Sequence, residues 1–122
     1  MVADSKQEAF KQVVEAFSEI VGGEAGNQVH TIKVESEGLK PLLFDFLDEL
    51  IFLQDTENVV VSYADELELE RLENGWRIEA DIKVDLITSQ VHVMDVKGPT
   101  YNEMKVSYEE GEGWVLEAVI DI

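Results

Sequence analysis

The sequence predicts an α+β domain of two layers, with two helices packed on one face of a single, mostly antiparallel, twisted sheet. Apolar residues recur every three to four positions in two segments of the first half, and every second position through most of the second half; these are the periods of helix and strand. Asn74-Gly75 stands between two of the alternating segments, and because both residues tolerate positive φ it marks a tight hairpin. Helix, strand, helix and then a run of antiparallel strands is the order expected when a sheet buries its apolar face under both helices. With 122 residues and no linker, repeat or low-complexity tract, residues 1–122 read as one domain able to bury a core.

The elements follow in order. Asp4 and Ser5 offer N-caps, and Ser5-Lys6-Gln7-Glu8 has capping-box spacing, so a helix starts there. Phe10, Val13, Val14, Phe17, Ile20 and Val21 form its apolar stripe, with Lys11, Gln12, Glu15 and Glu19 largely outside it. Gly22-Gly23 supplies a left-handed stop. Gln28 to Glu35 reads as a strand with His30, Ile32 and Val34 on one face. A second helix opens within Ser36 to Leu39, with Pro41 tolerated in its first turn. Leu42, Leu43, Phe44, Phe46, Leu47, Leu50, Ile51, Phe52 and Leu53 make it mostly buried, with Asp45, Asp48 and Glu49 as its narrow wet edge. Val59 to Tyr63 and Leu67 to Glu73 are β segments, the latter pairing with Trp76 to Leu86 through Asn74-Gly75. Ile87 to Val91 connects to a strand at Val93 to Val96 that continues as Met104 to Tyr108. The turn Glu109 to Gly113 leads to a last strand, Gly113 to Asp121.

Acidic residues number 27 against 9 Lys plus Arg, a formal charge of −18. That field repels phosphate, which argues against direct non-specific nucleic-acid binding; it suits a basic partner, divalent cations, a halophilic cell or simple solubility. The absence of Cys removes disulfide frameworks, thiolate metal sites and Cys nucleophiles. No apolar run approaches a membrane span and no signal-peptide pattern is present, so a cytoplasmic protein with no membrane association is expected.

His30 and His92 fall in different β segments without HxH or HxxxH spacing, and no GxSxG, P-loop, GxGxxG or HExxH occurs. Gly22-Gly23 with Gly26 reads as a helix stop and loop, given the surrounding acidity. The carboxylates lack EF-hand spacing, and most read as solvated faces. Asp121 differs, because it ends an apolar strand and precedes Ile122, whose free α-carboxylate adds a second oxygen donor; two such anions call for a cation or a basic partner group, unless the end is simply frayed. Lys97 is one of few cations and lies in Asp95-Val96-Lys97-Gly98-Pro99-Thr100-Tyr101, where Gly-Pro marks a bend or bulge. It reads equally as an exposed lysine neutralising Asp95 or Glu103.

Three ordered segments together resemble the archease family: Phe44-Asp45-Phe46-Leu47-Asp48-Glu49-Leu50, Asp95 to Tyr101, and the terminal Val119-Ile120-Asp121-Ile122. The Ser5 to Phe17 helix is also similar to the family's Ser/Thr-Leu-Glu-Glu-Ala-Phe helix, so the resemblance runs from the first helix to the last residue. It implies a protein that is not itself an enzyme but assists an RtcB-type RNA ligase in tRNA splicing, promoting guanylylation of the ligase's own histidine by GTP. It also implies a divalent cation, Ca²⁺, Mg²⁺ or Mn²⁺. Carried over by position, Asp121 and the Ile122 carboxylate become metal ligands, Lys97 the functional lysine, and Tyr101 and Asn102 partner-contacting residues of the same motif.

Two departures accompany it. The family opens with a His-Thr-Ala-Asp strand whose aspartate completes the metal site, whereas here Met1-Val2-Ala3-Asp4 leads straight into the first helix, and Asp4 aligns with its cap. A neighbouring sheet edge is then expected to be exposed, so that monomer and homodimer both remain open. The family's small apolar pair after the lysine is Gly98-Pro99 here, and its His or Ser after the tyrosine is Asn102. The alternative reading is a non-catalytic interaction or chaperone-like domain that keeps the fold and has lost the metal site. A carboxylate-based metallohydrolase ranks third, since no complete ligand set can be assembled.

Overall fold

The computed structural model describes the backbone of residues 2–3, 5–21, 26–86, 98–110 and 113–121, and the side chains of these except 2–3, 20–21, 98–104, 109 and 118–121. The elements are β1 (Val2–Ala3), α1 (Lys6–Val21), β2 (Gln28–Ser36), α2 (Leu39–Glu57), β3 (Val59–Leu72), β4 (Gly75–Leu86), β5 (Gly98–Glu109) and β6 (Gly113–Asp121). The α+β class with antiparallel strands and two helices is as expected. Among the described residues the pairing gives two three-stranded ladders, β1-β6-β5 and β2-β4-β3. Alternation along a strand reports which residues face inward and says nothing about which sheet the strand joins.

Both helices contact both sheets: α1 meets β3 and β6, and α2 meets β5 and β2. One apolar cluster therefore joins Phe10, Val14 and Phe17 of α1 to Phe46 and Leu50 of α2, Ile78 and Ile82 of β4, and Leu116 of β6. Phe10 and Phe46 meet edge-on with ring centres 6.0 Å apart. The start of α1 is set by Ser5, whose Oγ accepts the backbone N–H of Glu8 at 3.1 Å, the hydroxyl half of the expected capping box. Gly22-Gly23, the expected stop, lies outside the described residues.

The first element corrects the expected absence of a strand before α1: Val2 and Ala3 pair with Val115 and Trp114 of β6. α2 starts at Gly38, whose extended backbone carries no side-chain cap, and ends at Asn58 in the left-handed region, φ 55° and ψ 49°. Most of its apolar residues are buried as expected, but Phe52 is 59% exposed on the wet side of the helix. Gln54, buried in the last turn, accepts the backbone N–H of Val61 through Oε1 at 2.9 Å and ties the helix to β3.

β3 is one strand where the sequence suggested two, because register shifts at Ser62 and Asp65 absorb the extra residues without ending the ladder. Its turn into β4 also differs. Leu72 pairs with Gly75, so the loop residues are Glu73 and Asn74, and neither Asn74 nor Gly75 has positive φ. Gly75 is needed for another reason, since a Cβ there would collide with the carbonyl oxygen of Ser36 on β2. The segment Ile87 to Val96, expected as a connection and a strand, lies outside the described residues.

Candidate functional site

The candidate site is the far end of the β5–β6 ladder. β6 is anchored by Val115 and Leu116, both buried, and among the described residues β5 is an edge strand beside it. Gly98 pairs with Asp121, Pro99 with Ile120 and Thr100 with Val119. Opposed residues of an antiparallel pair have Cα atoms about 5 Å apart, so Asp121 stands across from the residue covalently bonded to Lys97. Lys97 and Ile122 themselves lie outside the described residues, as do the side chains of Asp121, Tyr101 and Asn102.

The expected bend at Gly98-Pro99 is not where the ladder breaks. Both residues keep register, since an edge strand tolerates a residue without an N–H. The irregularity comes next: between the pairs Thr100–Val119 and Lys105–Glu117, Tyr101, Asn102, Glu103 and Met104 stand against Ala118 alone. Tyr101 and Asn102 thus fall within a bulge, a feature that re-aims side chains and recurs beside functional sites. Ala3, the residue before Asp4, pairs with Trp114 at the opposite end of β6, about 23 Å along the strand from Asp121.

Elsewhere, His30 is half-buried on β2 and His92 lies outside the described residues. Among the described residues no three His, Cys, Asp or Glu side chains gather to hold a metal ion. The solvent face of β2-β4-β3 is acidic: Glu66 stands opposite Asp81 and Glu68 opposite Glu79. Thr31 Oγ1 donates to Asp81 at 2.6 Å, and Lys33 stands opposite Glu79 on the other side. Arg77 bridges Glu70 and Glu35 at the end of this face; its pKa is raised above the ordinary value, first by the hydrogen bond and charge of Glu70 and then by Glu35. No helix among the described residues is long and apolar enough to cross a membrane.

Sequence reading missed a second cluster in which Lys6, Trp76, Trp114, Arg71 and Tyr108 meet at the Ala3 end of β6. Its one sequence signal is that an aromatic residue flanks each of the two tight β connections, Trp76 after Gly75 and Tyr108 before the turn to Gly113.

The model of the Archease protein family matches residues 1–122. The chain belongs to the archease family. A "Protein archease" from Pyrococcus abyssi is 31% identical to it, over 98% of this chain and 87% of that one. Another, from Pyrobaculum neutrophilum, is 30% identical over 95% of this chain and 82% of its own length. The solution structure of Methanobacterium thermoautotrophicum protein 1598 shares the fold, with a TM-score of 0.74 at 24% identity over 95% of this chain and 84% of that one.

Proposed function

We propose that this archease-family chain is a protein cofactor, not an enzyme, that activates an RtcB-type RNA ligase by promoting its guanylylation with GTP. The observation that carries this reading is the pairing of Gly98 with Asp121, which brings the chain neighbour of the candidate lysine across from the candidate metal ligand. The carboxylate of Asp121 and the α-carboxylate of Ile122 are hard oxygen donors, the class that Ca²⁺, Mg²⁺ and Mn²⁺ prefer. Two such donors supply charge but not six to eight ligands, which leaves positions for water or for groups of the ligase. A bound cation would neutralise phosphate charge there, and Lys97, the residue before Gly98, would add a second positive centre.

Mixing the chain with an RtcB-type ligase, GTP and Mn²⁺ is expected to raise ligase turnover. No stimulation at equimolar protein, with a ligase shown to be active, removes the proposal. The alternative is an interaction domain that keeps the fold without the metal. Calorimetric titration with Ca²⁺ and Mn²⁺ separates the two, since that alternative predicts no cation binding that depends on Asp121.

A further inference from the structure

The cluster at the Ala3 end of β6 draws on both sheets. Lys6, the first residue of α1, holds its Nζ 4.5 Å from the ring centre of Trp114 on β6 and 5.0 Å from that of Trp76 on β4. Arg71, paired with Trp76 across β3 and β4, sets its guanidinium carbon 5.5 Å from the same indole. Tyr108, paired with Trp114, meets that indole edge-on at 5.6 Å. Among the described residues, neither Lys6 nor Arg71 is ion-paired with a carboxylate, although the chain carries 27 acidic residues.

Closing the end of the core accounts for the two half-buried indoles and for the stem of Lys6. It does not account for Tyr108, which is 63% exposed, or for the exposed Arg71. Tyrosine, tryptophan and arginine held rigid at a surface are the residues that dominate protein interfaces, because they offer large contact area at low entropic cost.

We propose that this cluster is a docking surface for a basic protein partner that presents an acidic side chain to Lys6 and Arg71 and an apolar one to Tyr108. The formal charge of −18 draws a basic partner and opposes a second copy of this chain. Glu35, Glu37 and Glu73 line a shallow cavity that Gly75, next to Trp76, also lines; they complement basic residues around the inserted acid and turn away a nucleic-acid backbone. An enzyme that handles RNA has such a basic surface. Identifying the partner as the ligase rests on the function proposed above. Trp114 and Asp121 lie at opposite ends of β6, about 23 Å apart, so the cluster sets how tightly the ligase is held and the Asp121 end sets what is done to it.

The test titrates the chain against an RtcB-type ligase with GTP and Mn²⁺ and reads the half-saturating concentration apart from the plateau of stimulation. Tyr108→Ala and Arg71→Glu are expected to raise the half-saturating concentration at least about tenfold and leave the plateau and the melting temperature unchanged, with Tyr108→Phe near the unaltered chain. Asp121→Asn is expected to lower the plateau instead. Stimulation with an unshifted half-saturating concentration in both cluster variants overturns the docking surface alone. No stimulation by the unaltered chain overturns the function and the ligase partner together. A dimer of the chain alone that Tyr108→Ala abolishes in sedimentation, or binding of a single-stranded oligonucleotide that Arg71→Glu abolishes, overturns the proposed occupant.

Discussion

Asp85 accepts the backbone N–H of Gly26 at 2.9 Å through the same Oδ1 that accepts the N–H of Asn27 at 3.3 Å. The carboxylate is buried on β4 and belongs to a strand 59 residues further along the chain than Gly26. It therefore fixes the chain just before β2 against the sheet that β2 is about to join.

Replacing Asp85 with Ala strands these part-buried donors, and an unmet donor that water reaches poorly costs about 1–3 kcal/mol. Asp85→Ala is expected to lower stability by roughly 2–3 kcal/mol in urea unfolding, and Asp85→Asn, which keeps one acceptor, by about half that. Equal losses in the two variants would remove this account.

Gln54 is a second buried polar anchor. Its Oε1 meets the N–H of Val61, so Gln54→Leu leaves a buried backbone donor unpaired, and a loss of about 1–3 kcal/mol is expected at nearly constant side-chain volume. Hydrogen exchange at the Val61 amide should accelerate by more than at Ile78, in the middle of β4, and a uniform change across both would argue against a local cause.

Gly75→Ala is expected to destabilise by roughly 1–3 kcal/mol through collision of the new methyl group with the Ser36 carbonyl, although backbone φ at this position suits any residue. If the cost came instead from turn geometry, Asn74→Ala would match it; it is expected to have little effect, because Asn74 occupies no left-handed position.

Glu68 faces Glu79 across the β3–β4 pair, and opposed like charges weaken a sheet. Glu68→Lys is expected to stabilise by about 0.2–1 kcal/mol at low salt, with the gain shrinking as salt is added. A salt-independent change would assign it to something other than charge.

The helices were legible in the sequence because a stripe such as Phe10, Val13, Val14 and Phe17 encodes its own burial, and the Ser5 cap encodes where α1 begins. The hairpin was legible in its partners and not in its turn residues, since Asn74-Gly75 signals positive φ while the steric demand at Gly75 comes from Ser36, 39 positions away. Which of the described strands pair with which could not be read at all beyond the hairpin, being a matter of which distant strands bond. At the candidate site, the sequence singled out Asp121 and the lysine before Gly98-Pro99; the backbone of Gly98 pairs with Asp121, while Lys97 and the Asp121 side chain lie outside the described residues. The bulge at Tyr101 to Met104 was placed one step too early, because Gly-Pro looks like a break and an edge strand makes it harmless. The Lys6 cluster escaped notice since its members come from α1, β3, β4, β5 and β6 and share no spacing.

Among the described residues, no backbone ladder joins the two sheets, which meet through the side chains of α1 and α2. Apolar contact is indifferent to direction, whereas a hydrogen-bonded ladder resists every displacement along its length. The slab that ends in Asp121 is thus held to the rest of the molecule by interlocking side chains, so its placement rests on their fit and not on shared strand pairs.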